Sequence, residues 1–265
     1  MSWFATLCRE TAGLLELLLP ESCPVCDHPA VLLPEGLCCE CLKQLILLPA
    51  SHCPRCSLPY PGLTDTPHLC GRCNQSSPAF AVVIAVGLYL GTLQSAVNRY
   101  KNHPRPTLDR ALGQLLAEGV ERHSFSHTPD LLVPVPLHKI RLRQRGFNQS
   151  RLLAKEIARR CRIPLDDKLL EKIRPTPPQQ GLPARSRLHN LRGALTATRH
   201  LNGEHVLLVD DVMTTGTTAD TCASVLLNAG ASQVSVAVLA RAGRNLEAMS
   251  STRNTDCLKR SNVVP

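Results

Sequence analysis

The chain has 265 residues, 43% hydrophobic and 19% charged, and a formal net charge of +9. That length suits one ordinary domain of about 100–150 residues plus a smaller one, and no stretch approaches the roughly 20 apolar residues of a membrane span, so a soluble protein is expected. Residues 131–200 hold 16 Lys and Arg against 4 Asp and Glu, which predicts a polyanionic ligand or partner there.

Residues 1–19, MSWFATLCRETAGLLELLL, carry Arg9, Glu10 and Glu16 within the apolar run, and no small-residue cleavage site follows. The segment therefore reads as an amphipathic helix docking on the body rather than a leader. Eight of the 13 cysteines then fall into four Cys-x-x-Cys pairs within residues 23–73. Such spacing belongs to metal binding in a reducing compartment, so a cytoplasmic location is expected. Cys8, Cys161, Cys222 and Cys257 stand singly and read as inert thiols.

Zinc takes four thiolates in a tetrahedron, and each knuckle supplies two from one tight turn. The ligands are Cys23, Cys26, Cys38 and Cys41, with Cys53, Cys56, Cys70 and Cys73. Two structural zinc ions follow. Consecutive and interleaved pairings both use these eight cysteines, and the duplicated layout favours the consecutive one. Cys39 is a bystander, since only Cys38 has the two-residue spacing to Cys41. Eight thiolates and two zinc ions would remove four charges and leave +5. We expect a double zinc ribbon over residues 20–77.

From residue 78 the pattern alternates: strand 80–90, helices 91–101 and 107–122, strand 131–135, helix 147–161, strand 205–210, helix 217–229, strand 233–239. This order predicts an α/β fold with a parallel sheet covered on both faces over 78–240. The Pro- and Arg-rich stretch 174–193 reads as a mobile lid over a site, and 241–265 as a flexible tail.

The most informative stretch is VLLVDDVMTTGTT, residues 206–218. A buried strand delivers Asp210 and Asp211, and a hydroxyl-rich turn leads into a helix, the place where ligands bind parallel sheets. The turn Met213, Thr214, Thr215, Gly216, Thr217 and Thr218 can cradle a phosphate with its N–H groups and hydroxyls. Carboxylates beside a phosphate need hydrogen-bond donors to face, and the 2′ and 3′ hydroxyls of a ribose supply them. Upstream, Lys139, Arg141, Arg143 and Arg145 alternate along a loop after the Pro-Val-Pro strand end, as a clamp for a diphosphate would.

The 206–218 spacing resembles the phosphoribosyl pyrophosphate (PRPP) signature of type I phosphoribosyltransferases. With RGFNQ after PVPLH, and Gln179, Leu182, Arg187 and Asn190 downstream, the chain resembles the ComF/GntX family of phosphoribosyltransferase-like proteins over residues 20–240. The resemblance implies a type I phosphoribosyltransferase fold behind a double zinc ribbon, and a link to competence or use of external DNA. It also implies PRPP binding with Mg²⁺ and catalytic surroundings supplied by Asp210 and Asp211, with Arg143, Arg145 and Arg187 on the diphosphate. Salvage enzymes for 6-oxopurines carry an acidic residue three places after the second carboxylate, where this chain has Thr214, so hypoxanthine and guanine are disfavoured. Two functions follow: phosphoribosyl transfer to an acceptor, or a non-catalytic accessory handling single-stranded DNA with DNA-uptake proteins. Aromatic residues, at 3%, offer the second little for base stacking.

Overall fold

The computed structural model describes residues 22–60, 66–102, 105–175 and 193–243. The expected helix at 1–19, Arg187 with nearly all of the expected lid, and the tail beyond 243 lie outside the described residues.

The cysteine-rich region carries two short helices, α1 (Cys39–Lys43) and α2 (Gly71–Ser76). Then come β1 (Val83–Leu88), α3 (Gly91–Asn102), α4 (Pro106–Arg122) and β2 (Leu131–Pro134). They are followed by α5 (Lys139–Arg145), α6 (Gln149–Cys161), β3 (Leu170–Lys172), β4 (Leu195–Ala197), β5 (His205–Met213), α7 (Thr217–Asn228) and β6 (Gln233–Arg241). Strands β1, β6, β5 and β2 form one parallel sheet in that order.

Strand alternation sorts the core into two layers. Leu207, Val209, Ala237 and Leu239 face α3, α4 and α6, together with the first cysteine cluster. Val206, Leu208, Val236 and Val238 face α7, together with the second cluster. The two ribbons, one motif repeated in sequence, thus pack on opposite faces of the sheet. α4 shows why such helices form: Pro106 starts it, and Leu108, Leu112, Leu115 and Leu116 recur at the spacing of one helical face, all buried.

Both sheet edges are covered. The chain between the ribbons runs antiparallel beside β1, where Leu88 N–H donates to the Ile46 carbonyl at 2.8 Å and Leu48 N–H to that of Val86 at 3.2 Å. Beside β2, Leu132 N–H donates to the Pro164 carbonyl at 2.7 Å and Asp166 N–H to that of Leu132 at 2.9 Å.

Three expectations need correction. The basic stretch 139–145 is a helix, not a loop: the His138 side chain caps its start and Gly146, at φ 78°, ends it. β5 runs three residues beyond its expected end because its pairing with β6 continues to Met213 and Arg241. Arg241, assigned to the tail, is therefore the last residue of β6, buried at 4% exposure. The short antiparallel pair β3–β4, which flanks the 174–193 stretch, was not anticipated.

Candidate functional site

Each ribbon folds around its knuckles in the same way. Asp27 and Ser57, the residues after the first knuckle of each repeat, both have positive φ, at 60° and 55°. Asp27 N–H donates to the Cys23 carbonyl and Ser57 N–H to that of Cys53. Further N–H groups aim at sulfur: Cys41 N–H at Cys38 Sγ (3.4 Å) and Cys70 N–H at Cys53 Sγ (3.3 Å). The sulfurs of Cys23, Cys26, Cys38 and Cys41 lie within 4.8 Å of one another, as do those of Cys53, Cys56, Cys70 and Cys73, so the clusters are built consecutively.

Four sulfurs around a tetrahedral zinc at about 2.3 Å sit about 3.8 Å apart. Cys26 and Cys38 are 3.8 Å apart and Cys56 and Cys70 3.6 Å, so both clusters fit the ion. The thiol chemistry agrees. Burial opposes ionisation of Cys23, but backbone N–H groups from Cys38, Cys26 and Val25 outweigh it and hold its pKa at about 6. Cys53 is held at about 7 in the same way. Burial and the neighbouring sulfurs push Cys41 and Cys73 far up, so four thiolates coexist only around a cation.

At the carboxyl end of the sheet, Asp210, Val212, residues 213–219 and Val238 line one cleft. Gly216, at φ 76°, is the N-cap of α7 and brings no side-chain hydrogen bond, so the first turn of the helix opens towards the cleft. Thr215 Oγ1 and Thr217 Oγ1 are 2.9 Å apart and hold the turn closed on itself. The hydroxyl-rich turn therefore lines the cleft and leads into α7.

The two carboxylates are not equivalent. Because β5 continues past them, alternation places Asp210 on the α7 face and Asp211 on the other. Asp210 lines the cleft and accepts from Ser150 Oγ and from Asp211 N–H, both at 2.9 Å. Burial, then repulsion from Asp211, pushes its pKa up to about 7. Asp211 pairs with Lys101 Nζ at 3.3 Å.

Helix α5 also redistributes the arginines. Residues two apart on a helix diverge by roughly 200°, so Arg141 and Arg145 share one side, and Lys139 and Arg143 the other. Arg141 and Arg145 are partly buried and Lys139 and Arg143 exposed, so the first pair lies towards the body. Elsewhere in this basic stretch Arg151, Arg159, Arg160 and Arg199 are spent in ion pairs with Asp167, Glu156, Glu118, Glu121 and Asp166.

A DNA utilization protein YhgH from Salmonella typhimurium is 35% identical over 230 residues, covering 85% of this chain and 99% of that protein. The chain belongs to the ComF/GntX family. Competence protein F of Haemophilus influenzae is 32% identical, over 78% of this chain and 91% of its own. Competence protein ComFC of Bacillus subtilis is 30% identical, over 74% and 80%. Family models match a double zinc ribbon domain at residues 14–74 and a phosphoribosyl transferase domain at 148–264. The ComF/GntX chain thus has a type I phosphoribosyltransferase fold with an N-terminal double zinc ribbon.

Within this ComF/GntX site, sequence spacing missed Ser150 and Lys101. The only trace is the Asn148 that precedes Ser150: its side chain accepts from Ser150 N–H and donates to the Val135 carbonyl, fixing the start of α6 against β2. Lys101 is placed through its neighbours, with Tyr100 Oη donating to the Gln149 carbonyl at 2.7 Å. Nothing local in the sequence announces either contact.

Proposed function

We propose that this protein binds PRPP at the carboxyl end of β5 and transfers its phosphoribosyl group to an acceptor in the cytoplasm. The observation that carries this is the single cleft in which Asp210 and the turn 213–218 meet. The 5′-phosphate takes the turn and the first N–H groups of α7, while Asp210 accepts from a ribose hydroxyl. Asp211, held by Lys101, lies next to it and serves the ribose from the other side of the strand. The diphosphate falls to the cations around α5, with Arg145 and Arg141 better placed than the exposed Arg143. Arg187 remains assigned to the diphosphate by family resemblance.

Were Mg²⁺ to accompany the substrate, Asp210 and Asp211 would be the carboxylates to hold it, and it would supply positive charge against the departing pyrophosphate. In the transfer, the bond from the anomeric carbon to pyrophosphate breaks as the acceptor's lone pair forms the new one, and cationic and N–H groups stabilise the charge developing on the leaving group. A pyrophosphate-release screen with PRPP, Mg²⁺ and candidate acceptors tests this. Release above the acceptor-free rate is expected; its absence for every acceptor, with PRPP bound, would leave a binding protein. A wild-type chain that fails to bind PRPP would end the proposal.

A second function rests on a separate observation. Helix α5 exposes Lys139 and Arg143 beside Ile140 and Leu142, and the relatives are named for DNA utilization and competence. Such a face suits single-stranded DNA, whose binding should weaken steeply with salt.

A further inference from the structure

The end of β6 joins the second ribbon to the candidate phosphate turn. Arg241 Nε donates to the Cys56 carbonyl at 2.8 Å, and its Nη1 donates to the Met213 carbonyl at 2.9 Å and to the carbonyls of Thr214 and Ala242. One buried guanidinium therefore spans a zinc knuckle and both residues that open the turn. Among the described residues, no carboxylate forms an ion pair with it. The charge nearest to hand is that of the second cluster, since four thiolates around a dication carry a formal −2. A buried cation without a counter-charge is costly, so the ligating sulfurs of Cys56 and Cys70 stabilise Arg241 in place.

The chain just after this ribbon touches the start of α7 and the turn as well. Ala79 N–H, just after the second ribbon, donates to Asp220 Oδ1 in the first turn of α7 at 2.7 Å. Phe80 packs where a side chain at Gly216 would begin, 3.8 Å from an added Cβ. Among the described residues, no side chain links the first ribbon to this turn. That ribbon's polar contacts reach α3 and α4 instead: Arg99 Nη1 donates to the Pro24 carbonyl at 3.4 Å, Thr92 Oγ1 to Gln44 Oε1 at 3.2 Å, and Asp27 pairs with Arg99 and Arg105, both at 2.6 Å and solvent-exposed, together with apolar packing.

We infer that Arg241 is a positioning residue through which the second zinc ribbon, and not the first, sets the geometry of the phosphate-binding turn. This rests on the PRPP reading for its ligand, but the rigidity of the turn can be measured without any ligand. Lysine keeps the charge yet cannot reach from Cys56 to Met213 and Thr214 at once.

The test uses the full chain and four variants: Arg241→Lys, Arg241→Gln, Cys26→Ser in the first ribbon and Cys56→Ser in the second. Zinc content and thermal midpoint qualify each. In both Arg241 variants, hydrogen exchange without ligand should quicken at amides 214–218, while amides 206–209 stay protected. PRPP affinity by calorimetry should drop by about tenfold or more. Cys56→Ser should reproduce the faster exchange of the turn, and Cys26→Ser should not. Unchanged exchange at 214–218 in Arg241→Lys with two zinc ions bound would overturn the inference. Equal effects of the two Cys variants would overturn it as well, and that comparison holds even if the Arg241 variants do not fold. If wild type binds no PRPP, the proposed ligand falls, while the exchange results still decide the role of Arg241.

Discussion

Lys101 Nζ lies 3.3 Å from Asp211 Oδ2 in a pair whose side chains are 19% and 13% exposed. The lysine ends α3 and the carboxylate lies near the end of β5, so the contact fastens a helix terminus to the strand that delivers the candidate site. Its charge also offsets one of two adjacent carboxylates where the proposed anionic ligand would approach. Lys101→Met should cost about 1–3 kcal/mol of stability, between the values for exposed and buried pairs. It should also weaken PRPP by roughly tenfold. Urea denaturation and calorimetry measure the two effects, and a variant with wild-type affinity would remove Lys101 from the ligand's surroundings.

Under the proposed function, Asp210 should make PRPP binding depend on pH near neutrality. Burial and Asp211 raise its pKa from an ordinary 3.8 to about 7, so the folded chain holds a proton that the unfolded chain releases. Stability from this group is full below about pH 4 and is lost as pH rises through about 7. Binding has the opposite sign, because the carboxylate accepts from a ribose hydroxyl more strongly than the protonated acid does. PRPP affinity should rise through pH 7 with proton release, measurable by calorimetry in buffers of different ionisation enthalpy. Asp210→Asn should flatten the profile. Ser150→Ala removes a hydrogen bond that favours the charged form and should move the midpoint upward.

Two zinc ions per chain are expected by elemental analysis, one for each cluster. Because Cys23 and Cys41 are packed with α3, α4 and α6, and Cys53 and Cys73 with α7, chelation should destabilise both faces of the sheet. A fall in the thermal midpoint of the whole chain is the expected outcome. A sheet that unfolds at the same temperature with and without metal would show the ribbons to be independent of it.

Gly87 is required by a close approach. A Cβ there would lie 2.4 Å from the Ile46 carbonyl oxygen and 3.1 Å from Leu93 Cδ2. Gly87→Ala should force the 46–48 segment off β1 and cost about 1–3 kcal/mol, as overpacking does. Denaturant titration gives the number, and a neutral substitution would mean that the segment yields freely.

The sheet was legible because its signals are local. Leu207, Leu208 and Val209 in a row, or the Leu spacing of α4, announce a strand or a helix whatever lies elsewhere. The eight ligands were legible for the same reason, since a knuckle is four residues long. Helix α5 was not: it buries none of its seven residues, so no apolar period marks it. The three-residue strands β3 and β4 are too short to show alternation and are separated by the Pro-rich stretch. At the site, the turn was visible as a run of hydroxyls, but its supports were not. Arg241 reaches Cys56 across 185 residues and Ser150 reaches Asp210 across 60, and such contacts exist only once the sheet is assembled.

The segment that covers β1 is strung between Cys41 and Cys53, one ligand from each zinc cluster. It occupies the hydrogen-bonding edge of VIAVGL, an apolar strand that would otherwise template the pairing of another chain. During synthesis the ribbons emerge before this strand, so a guard can be folded and waiting when β1 leaves the ribosome. Metal supply then governs solubility as well as stability. A chain made in zinc-starved cells would release both ends of the guard and uncover the edge of β1, and more aggregation or proteolysis is expected of it than of the zinc-loaded chain.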